Sequence, residues 1–278
     1  MSFLVLLLVL WVEKFSAWRH AVQQDGPWLR ALAKVERQKD LMASPWLAIA
    51  ALVVLPLLAL ALVLTLLEPI AYGWLALPVH LLVVIYSLGR GDLQAALGPF
   101  RDSWRRADTE AAYLVARRDL GVEEAEEGAL LQSVQRHLVW QAYQSFFAVI
   151  FWYALLGPLA ALAYRLLALL AEHAEQEALR ERAVQLRHAF DWLPVRVLAA
   201  SFALVGNFVA VSRALLHELL SWDISAAQLV ISVGRAASET PEPVVGEEGV
   251  STLDGLWQLL VRAAVLWYAG FALWTLFL

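Results

Sequence analysis

Cysteine is absent from this chain of 278 residues, and lysine occurs only three times, at Lys14, Lys34 and Lys39. Without a thiol the protein cannot form disulfides, use a cysteine nucleophile, or bind zinc or iron–sulfur clusters through cysteine. Charge is also scarce, because charged residues make up 17% of the chain, against about 25% in soluble domains. The net charge of -5, without a basic cluster, gives no indication of nucleic-acid binding.

Hydrophobic residues are correspondingly abundant, at 61% of the chain, whereas soluble domains have about 45–50%. A chain of this length cannot bury so much apolar surface in one soluble core. The 13 tryptophans suit anchors at membrane interfaces. The composition therefore predicts an all-α, multi-pass membrane protein in contact with lipids, with residues 1–278 forming a single membrane domain.

Four transmembrane spans are predicted from long uncharged runs. Residues 46–67 and 70–88 are joined by the tight turn Glu68-Pro69 and form a helical hairpin, in which Pro56 kinks the first helix. The other two predicted spans are residues 138–170 and 256–278.

Polar or shorter segments separate these spans. Residues 89–137 read as a cytoplasmic helical segment that contains an amphipathic helix over 102–119, ended by Gly121. Residues 171–235 read as a further helical segment, in which the uncharged stretch 197–212 is too short to be assigned as a span. Two prolines and four glutamates predict that residues 236–252 form a mobile acidic linker.

The apolar run at residues 3–12 does not resemble a cleavable signal peptide, because no Lys or Arg precedes it and no small-residue cleavage site follows. About ten residues are too few to cross a bilayer. We therefore expect a retained helix that lies at the membrane interface or inside the bundle.

The third span leaves two topologies open. Gly157-Pro158 should break or bend the helix, so the segment either crosses once with a kink or folds back as a re-entrant hairpin with arms of roughly 11–19 residues. Six Lys/Arg lie in 13–45, seven in 89–145 and six in 171–256. Positive residues collect on the cytoplasmic side, and only the fold-back keeps all three regions there, so the distribution favours the hairpin.

Few residues indicate chemistry. Phosphate-binding loops, nucleophile elbows and the H-E-x-x-H motif are absent from the sequence. The six histidines include no i, i+4 pair, so neither a metal nor another cofactor is predicted. His80 lies within a predicted span, where an ionisable group is either functional or hydrogen-bonded to a neighbouring helix; we favour the second.

Two further charged residues have open roles. Arg165 interrupts an apolar run, and could meet an anion or extend to the interface, which is the favoured interpretation. Asp191 precedes Pro194, a residue that ends one helix or begins the next, so that Asp191 could cap that next helix or pair with Arg196.

Two stretches carry a family resemblance. Residues 3–18, with Glu13 after the apolar run, and Asp191-Trp192-Leu193-Pro194-Val195-Arg196 resemble the AmpE family of inner-membrane proteins. That family is similar to the CobD/CbiB membrane enzymes of cobalamin biosynthesis, which use ATP to join an aminopropanol phosphate to adenosylcobyric acid. Residues 153–165, Tyr-Ala-Leu-Leu-Gly-Pro-Leu-Ala-Ala-Leu-Ala-Tyr-Arg, resemble their Y-A-L-L-G-G-P-P-G-A-L-A-Y-R stretch, and Arg118-Asp119 their G-R-D-T.

The chain departs from those enzymes where they carry acidic or amide groups. Residues 132–137, Gln-Ser-Val-Gln-Arg-His, stand where the enzymes have an acidic stretch, and Ala168 and Ala171 replace their Asn and Asp. ATP chemistry needs such groups to hold Mg²⁺ against the phosphates. The departures favour a protein without catalytic residues over a ligase with an altered substrate, which remains the alternative.

The resemblance implies an inner-membrane sensor or modulator in β-lactamase induction and cell-wall recycling. An anionic cell-wall-derived ligand and other membrane proteins are the implied partners. The residues predicted to bind such a ligand are Arg118, Asp119, Arg165, Asp191 and Arg196. A muropeptide transporter is a weaker alternative, because the sequence shows no inverted repeat.

Overall fold

The computed structural model describes residues 5–9, 22–38, 44–69, 74–89, 92–124, 127–216, 218–239 and 245–277. Helices form all the regular secondary structure in these ranges, which confirms the predicted all-α class. Residues 5–9 form a short helical stretch; the rest of the predicted N-terminal helix lies outside the described residues. The longer helices, in chain order, are α1 (Gly26–Glu36), α2 (Pro45–Leu67), α3 (Ala76–Ser87), α4 (Leu93–Arg105), α5 (109–120), α6 (127–156), α7 (Pro158–His173), α8 (Glu177–Val205), α9 (Phe208–Leu216), α10 (Ala226–Ala237) and α11 (Glu247–Phe277).

The chain forms two compact units, rather than a single domain. The first comprises Met1–Gly89 and Ala148–Pro194, and the second comprises Arg90–Phe147 and Val195–Phe277. The chain passes from one unit to the other within α6 and again within α8.

Within the described ranges, four helices are long and apolar enough to cross a membrane: α2, Gly128–Leu156 of α6, α8, and Glu247–Thr275 of α11. The number agrees with the prediction, but the set differs. The predicted span 70–88 contains α3, whose 12 residues reach only about 18 Å at 1.5 Å per residue; residues 70–73 lie outside the described part. Conversely, part of the stretch 197–212, which the sequence left unassigned, belongs to α8. This helix begins at Glu177 and, with 29 residues, is long enough to span.

Most of the surface of α2 faces outward. Its residues have a mean hydropathy of 3.0, and only 22% of the span is buried. Large exposed side chains recur along one stripe, at Leu55, Leu58, Leu62 and Leu66. Apolar surface of this extent is stable in contact with lipid and costly in contact with water.

A π-helical segment at Ala50–Val54 precedes Pro56, the residue at which the sequence predicts a kink. Proline has no N–H, so the carbonyl of Leu52 loses its usual partner four residues on. The indole N–H of Trp28 donates to this carbonyl at 3.2 Å. Trp28 and Leu32 of α1 also join Leu52 in the apolar core of the first unit. Helix α1 therefore both fills this core and supplies a donor to the carbonyl that Pro56 leaves without its usual partner.

Gly157 ends α6, and α7 begins at Pro158, which confirms the predicted helix break. Gly157 has φ 79° and ψ −165°, a backbone conformation that is open essentially only to glycine. Residues 148–156 and α7 pack against each other, and both pack against α3. The predicted arm lengths are wrong for α6, which begins at residue 127 rather than 138.

Two of the predicted segments have different boundaries. The single amphipathic helix expected at 102–119 is two helices, α4 and α5. Ala107 takes φ 57° between them, and the Asp108 carboxylate then caps α5 by accepting from the Ala111 N–H at 3.0 Å. Gly121, with φ 67°, ends α5 as expected.

The mobile acidic linker expected at 236–252 is largely wrong among the described residues. Residues 236–237 end α10, and 247–252 form the first turns of α11. Glu247 and Glu248 lie in the first turn of α11, where a negative charge is stabilised by the helix dipole. Val250 and Thr252 are buried, and Thr252 accepts a 2.8 Å hydrogen bond from Gln135. Residues 240–244 lie outside the described part.

The second unit is held together partly by contacts to α11. Arg101 of α4 pairs with Asp254 at 2.6 Å, and Trp267 donates to the Ser201 hydroxyl of α8 at 2.8 Å. The Trp267 ring also meets Phe147 edge to face, with centroids 5.2 Å apart. These contacts position α11 against α4, α6 and α8.

Candidate functional site

Two of the stretches that carry the family resemblance meet inside the first unit. Tyr164 of α7 is buried, and its hydroxyl donates to the Asp191 carboxylate of α8 at 2.9 Å. Only 3% of the Asp191 surface is exposed. A buried carboxylate needs such donors, because burial without partners is costly.

Arg187 supplies the counter-charge for Asp191. Its guanidinium Nε lies 3.6 Å from an Asp191 oxygen, one helical turn earlier on α8. Glu172 of α7 is near enough to act on the same guanidinium. Tyr164, Asp191 and Arg187 therefore form a closed polar cluster that joins α7 to α8.

Arg165 pairs inside the protein instead of extending to the interface, so the favoured sequence interpretation is wrong. Its guanidinium lies 3.0 Å from the carboxylate of Asp25, and both side chains are mostly buried. Asp25 immediately precedes α1. Instead of reaching the interface, Arg165 has a partner 140 residues away in the sequence.

The other end of α1 is also attached to the first unit. A carboxylate oxygen of Glu36 accepts from the backbone N–H groups of Glu175 and Gln176, at 2.9 and 3.2 Å. These N–H groups precede α8, where a carboxylate is favoured by the helix dipole. Asp25 and Glu36 thus hold the two ends of α1, and Trp28 anchors its first turn.

Asp191 and Pro194 lie inside a continuous helix, so Asp191 is not the cap that the sequence suggested. Proline inside a helix removes one backbone hydrogen bond, and α8 nevertheless continues to Val205. Arg196 belongs to the second unit. Its guanidinium donates to the carbonyl of Leu219 at 2.5 Å and to that of Ser221, which fixes the turn between α9 and α10.

Arg118 and Asp119 are the accessible members of the predicted set. The Arg118 guanidinium donates to both Asp119 oxygens, at 2.7 and 2.8 Å, and 72% of its side chain is exposed. The hydrogen bonds from Arg118 hold the pKa of Asp119 below its usual range, and they raise the pKa of Arg118. A shallow cavity of about 440 Å³ opens here, lined by Leu114, Val115, Arg117 and Arg118.

Residues 132–137, which stand where the similar enzymes have an acidic stretch, include the basic residue Arg136 and lie in the second unit. Arg136 donates to the Ser133 hydroxyl at 2.6 Å and lies 3.8 Å from Glu124. Hydrogen bonds from the Glu124 backbone N–H and from Ser133, together with the Arg136 charge, keep the pKa of Glu124 low. Arg136 and Glu124 thus form a half-exposed ion pair.

His80 of α3 lies 3.0 Å from the Tyr153 hydroxyl of α6, so the predicted hydrogen bond to a neighbouring helix is confirmed. Among the residues that the structure describes, His, Asp and Glu form no group of three that could hold a metal ion.

The five predicted site residues are divided between the units: Arg165 and Asp191 lie in the first, and Arg118, Asp119 and Arg196 lie in the second. Sequence reasoning missed the partners Asp25 and Arg187. The spacing of Arg187 and Asp191 at i, i+4 could have revealed their pairing. No local pattern indicates that Asp25 meets Arg165.

These features define a polytopic helical membrane protein whose internal ion pairs link distant segments. Within that class, the family model described as "Regulatory signalling modulator protein AmpE" matches residues 1–237. The chain belongs to the AmpE family, as its sequence resemblance predicted, and that family's description is one of regulatory signalling.

The chain is also similar to the cobalamin biosynthesis protein CobD of Stutzerimonas stutzeri (strain A1501). The two are 27% identical over 193 residues, which cover 67% of this chain and 62% of the relative. The chain thus matches less than two thirds of that protein's length. No solved structure matches the chain significantly.

Proposed function

We propose that this protein is a non-catalytic modulator of β-lactamase induction and cell-wall recycling, located in the bacterial inner membrane, and that it responds to an anionic ligand derived from the cell wall. Its family description as a regulatory signalling modulator and its four apolar helices support a role at a membrane. The more specific assignment follows from the resemblance in its sequence.

The accessible cavity at Arg117 and Arg118 is the observation that carries the ligand proposal. Arg165 and Asp191 are buried and paired with protein groups, so their part in the proposal is to position helices. Arg118 presents a mostly exposed guanidinium beside a cavity. Guanidinium groups bind carboxylates and phosphates in two-pronged geometry, and the exposed Leu114 beside them can contact an apolar part of the same ligand.

Two alanines support the absence of ligase chemistry. Ala168 is buried and Ala171 packs against the apolar core of the first unit, at positions where the similar enzymes carry Asn and Asp. An alanine offers no oxygen to Mg²⁺. If the ligase alternative were correct, the purified protein would show saturable, Mg²⁺-dependent ATP binding that Asp119→Asn abolishes; we expect none.

The cellular test uses a strain with an inducible β-lactamase whose own copy of this gene is deleted. We expect deletion to change the induced β-lactamase activity, measured by hydrolysis of a chromogenic substrate, and the wild-type chain to restore it. Arg117→Gln and Arg118→Gln together should fail to restore it at equal protein levels. Arg106→Gln is the matched control, because Arg106 is exposed on the same stretch and lies outside the cavity. Unchanged induction on deletion would refute the proposal.

The proposed topology places α6 and α7 as a re-entrant hairpin, with Arg118, Arg165 and Arg196 on the cytoplasmic side. The break at Gly157 and the mutual packing of the two arms support it. Glu123→Cys and Gln176→Cys introduce single thiols at exposed positions of this cysteine-free chain. Both should resist a membrane-impermeant thiol reagent in spheroplasts, and both should react after lysis. Labelling of position 176 alone in intact spheroplasts would show that the segment crosses once.

A further inference from the structure

A second cavity lies in the second unit, where α8 ends and α9 begins. Gly206 and Asn207 join the two helices, and the Asn207 N–H donates to the carbonyl of Ala237 at 3.0 Å. A Cβ on Gly206 would lie 2.7 Å from that same carbonyl oxygen, which is too close for any other residue. Glycine therefore permits the end of α8 to approach the end of α10.

An acidic side chain is held beside this junction by strained backbone. Glu239 has φ 49°, which costs energy for a residue other than glycine. Its carboxylate accepts a hydrogen bond from the Asn207 amide, while the Asn207 oxygen accepts from the Ala210 N–H at 2.9 Å and so caps α9. The strained conformation and the amide together fix the position of the Glu239 carboxylate.

The opposite wall of the cavity is formed by α11 and carries a positive charge. The cavity has a volume of about 440 Å³, and Gly255, Gln258, Leu259 and Arg262 of α11 line it. Arg262 lies within the candidate membrane span Glu247–Thr275 and is exposed. Its neighbours Val261 and Val265 are exposed as well, at 44% and 64%. An ionisable side chain on the apolar face of a spanning helix is costly, and such a residue is therefore a candidate for a functional site.

The two walls are therefore matched to a ligand with two charges. The ends of α8 and α10 bring helix C-termini to the wall that holds Glu239, and the negative end of a helix dipole favours a cation. Arg262 on the other wall favours a phosphate. Gln258 and Asn207, which also line the cavity, can donate to phosphate oxygens or accept from an ammonium group.

We infer that this cavity binds a phosphoethanolamine head group, with the ammonium at Glu239 and the phosphate at Arg262. Exposure of Arg262 beside lipid-facing valines makes phosphatidylethanolamine of the surrounding bilayer the source of that head group. The site is separate in sequence from the Arg118 cavity and lies in part beyond residues 1–237, the range of the family match. It does not depend on the proposed signalling function.

The test compares lipids that differ only in the head group. Purified protein in mild detergent is incubated with an equimolar mixture of phosphatidylethanolamine, phosphatidylcholine and phosphatidylglycerol with identical acyl chains, and bound lipid is measured by native mass spectrometry. Phosphatidylcholine carries the same charges but lacks N–H donors, and phosphatidylglycerol lacks the cation. We expect phosphatidylethanolamine to be enriched about tenfold in the bound fraction, the ratio that about 1.4 kcal/mol supplies.

Variants locate the binding. Glu239→Gln and Arg262→Gln should each abolish the enrichment, whereas Asp223→Asn and Arg213→Gln, which remove exposed charges of the same unit outside the cavity, should preserve it. Gln258→Leu should reduce the enrichment without removing a charge, and it serves if a charge variant fails to fold. Equal binding of the three lipids, or enrichment that survives both charge variants, would overturn the inference. If soluble glycerophosphoethanolamine competes at the same concentration as the lipid, the cavity still binds the head group. That result would overturn the inference that the head group comes from a lipid of the bilayer.

Discussion

Replacing Asp191 with Asn tests whether the polar cluster between α7 and α8 stabilises the first unit. The substitution keeps the shape of the side chain and its ability to accept from Tyr164, and it removes the negative charge that faces Arg187. Arg187 would then be left as a mostly buried cation that has lost its nearest carboxylate, with Tyr164 and Glu172 nearby.

The expected loss follows from the burial of the pair. Removing one partner of a buried ion pair costs about 3–5 kcal/mol. The distance of 3.6 Å between Arg187 and Asp191, and the remaining influence of Glu172, place this case near the lower end, so we expect about 3 kcal/mol. Glu177→Gln is the matched control on the same helix, because Glu177 pairs with Arg180 at 2.5 Å but both side chains are exposed. It should cost about 1 kcal/mol or less.

Unfolding by sodium dodecyl sulphate in mixed micelles, followed by tryptophan fluorescence, gives both free energies. Tyr164→Phe should cost about 1–3 kcal/mol, because a hydrogen bond to a charged acceptor is lost. The double variant Tyr164→Phe/Asp191→Asn should be less destabilised than the sum of the singles, by about 1 kcal/mol. Equal losses for Asp191→Asn and Glu177→Gln would refute the reasoning, since burial would then make no difference.

Three further predictions concern single contacts. Arg165→Gln should destabilise the protein by about 2–3 kcal/mol because it leaves the Asp25 carboxylate without its charged partner. Asp25→Asn in the Arg165→Gln background should recover part of this loss in the same unfolding assay. Losses that simply add would exclude the pairing. Gly157→Ala should cost about 1–3 kcal/mol. The cost would come from backbone strain alone, because a Cβ at this position meets no atom within 4 Å. A neutral effect would show that the helix break does not require φ 79°. Arg118→Gln should raise the pKa of Asp119 towards its ordinary value, measured by NMR titration of labelled aspartate, because Arg118 now holds that pKa down. The contribution of the Arg118–Asp119 pair to stability is present at neutral pH and is lost as the pH falls through the lowered pKa of Asp119. An Asp119 titration that does not change in Arg118→Gln would contradict the hydrogen bonds from Arg118.

The fold was predictable where the pattern is local. The uncharged run around α2, the break at Gly157 and the end of α5 at Gly121 each follow from the preferences of a few neighbouring residues. The start of α11 was missed for a related reason. Acidic residues and nearby prolines indicate a solvated linker when read as composition, but Glu247 and Glu248 in that position stabilise a helix start.

The candidate site was predictable only in part, because its contacts join distant residues. The sequence singled out Arg165 because it interrupts an apolar run, and the family resemblance drew attention to Asp191. It could not supply their partners, since Asp25 and Tyr164 become neighbours of these residues only when α1, α7 and α8 pack together. For the same reason the interface role assigned to Arg165 failed, because an internal carboxylate removes the need to reach water.

The internal pairing of these residues bears on how a member of this family could signal. Each end of α1 is attached by a carboxylate, Asp25 to α7 and Glu36 to the residues before α8. Trp28, in the first turn of α1, donates to the Leu52 carbonyl of α2. A displacement of α7 or α8 would therefore strain contacts at α1 and at α2 together. Buried ion pairs contribute little net stability compared with apolar packing, yet they penalise every arrangement that separates the charges. The Asp25–Arg165 pair, with the hydrogen bonds of Glu36 and Trp28, therefore restricts how α1, α2, α7 and the start of α8 can pack. Such a restriction is the property a modulator needs if a small change at one helix is to be transmitted to the others.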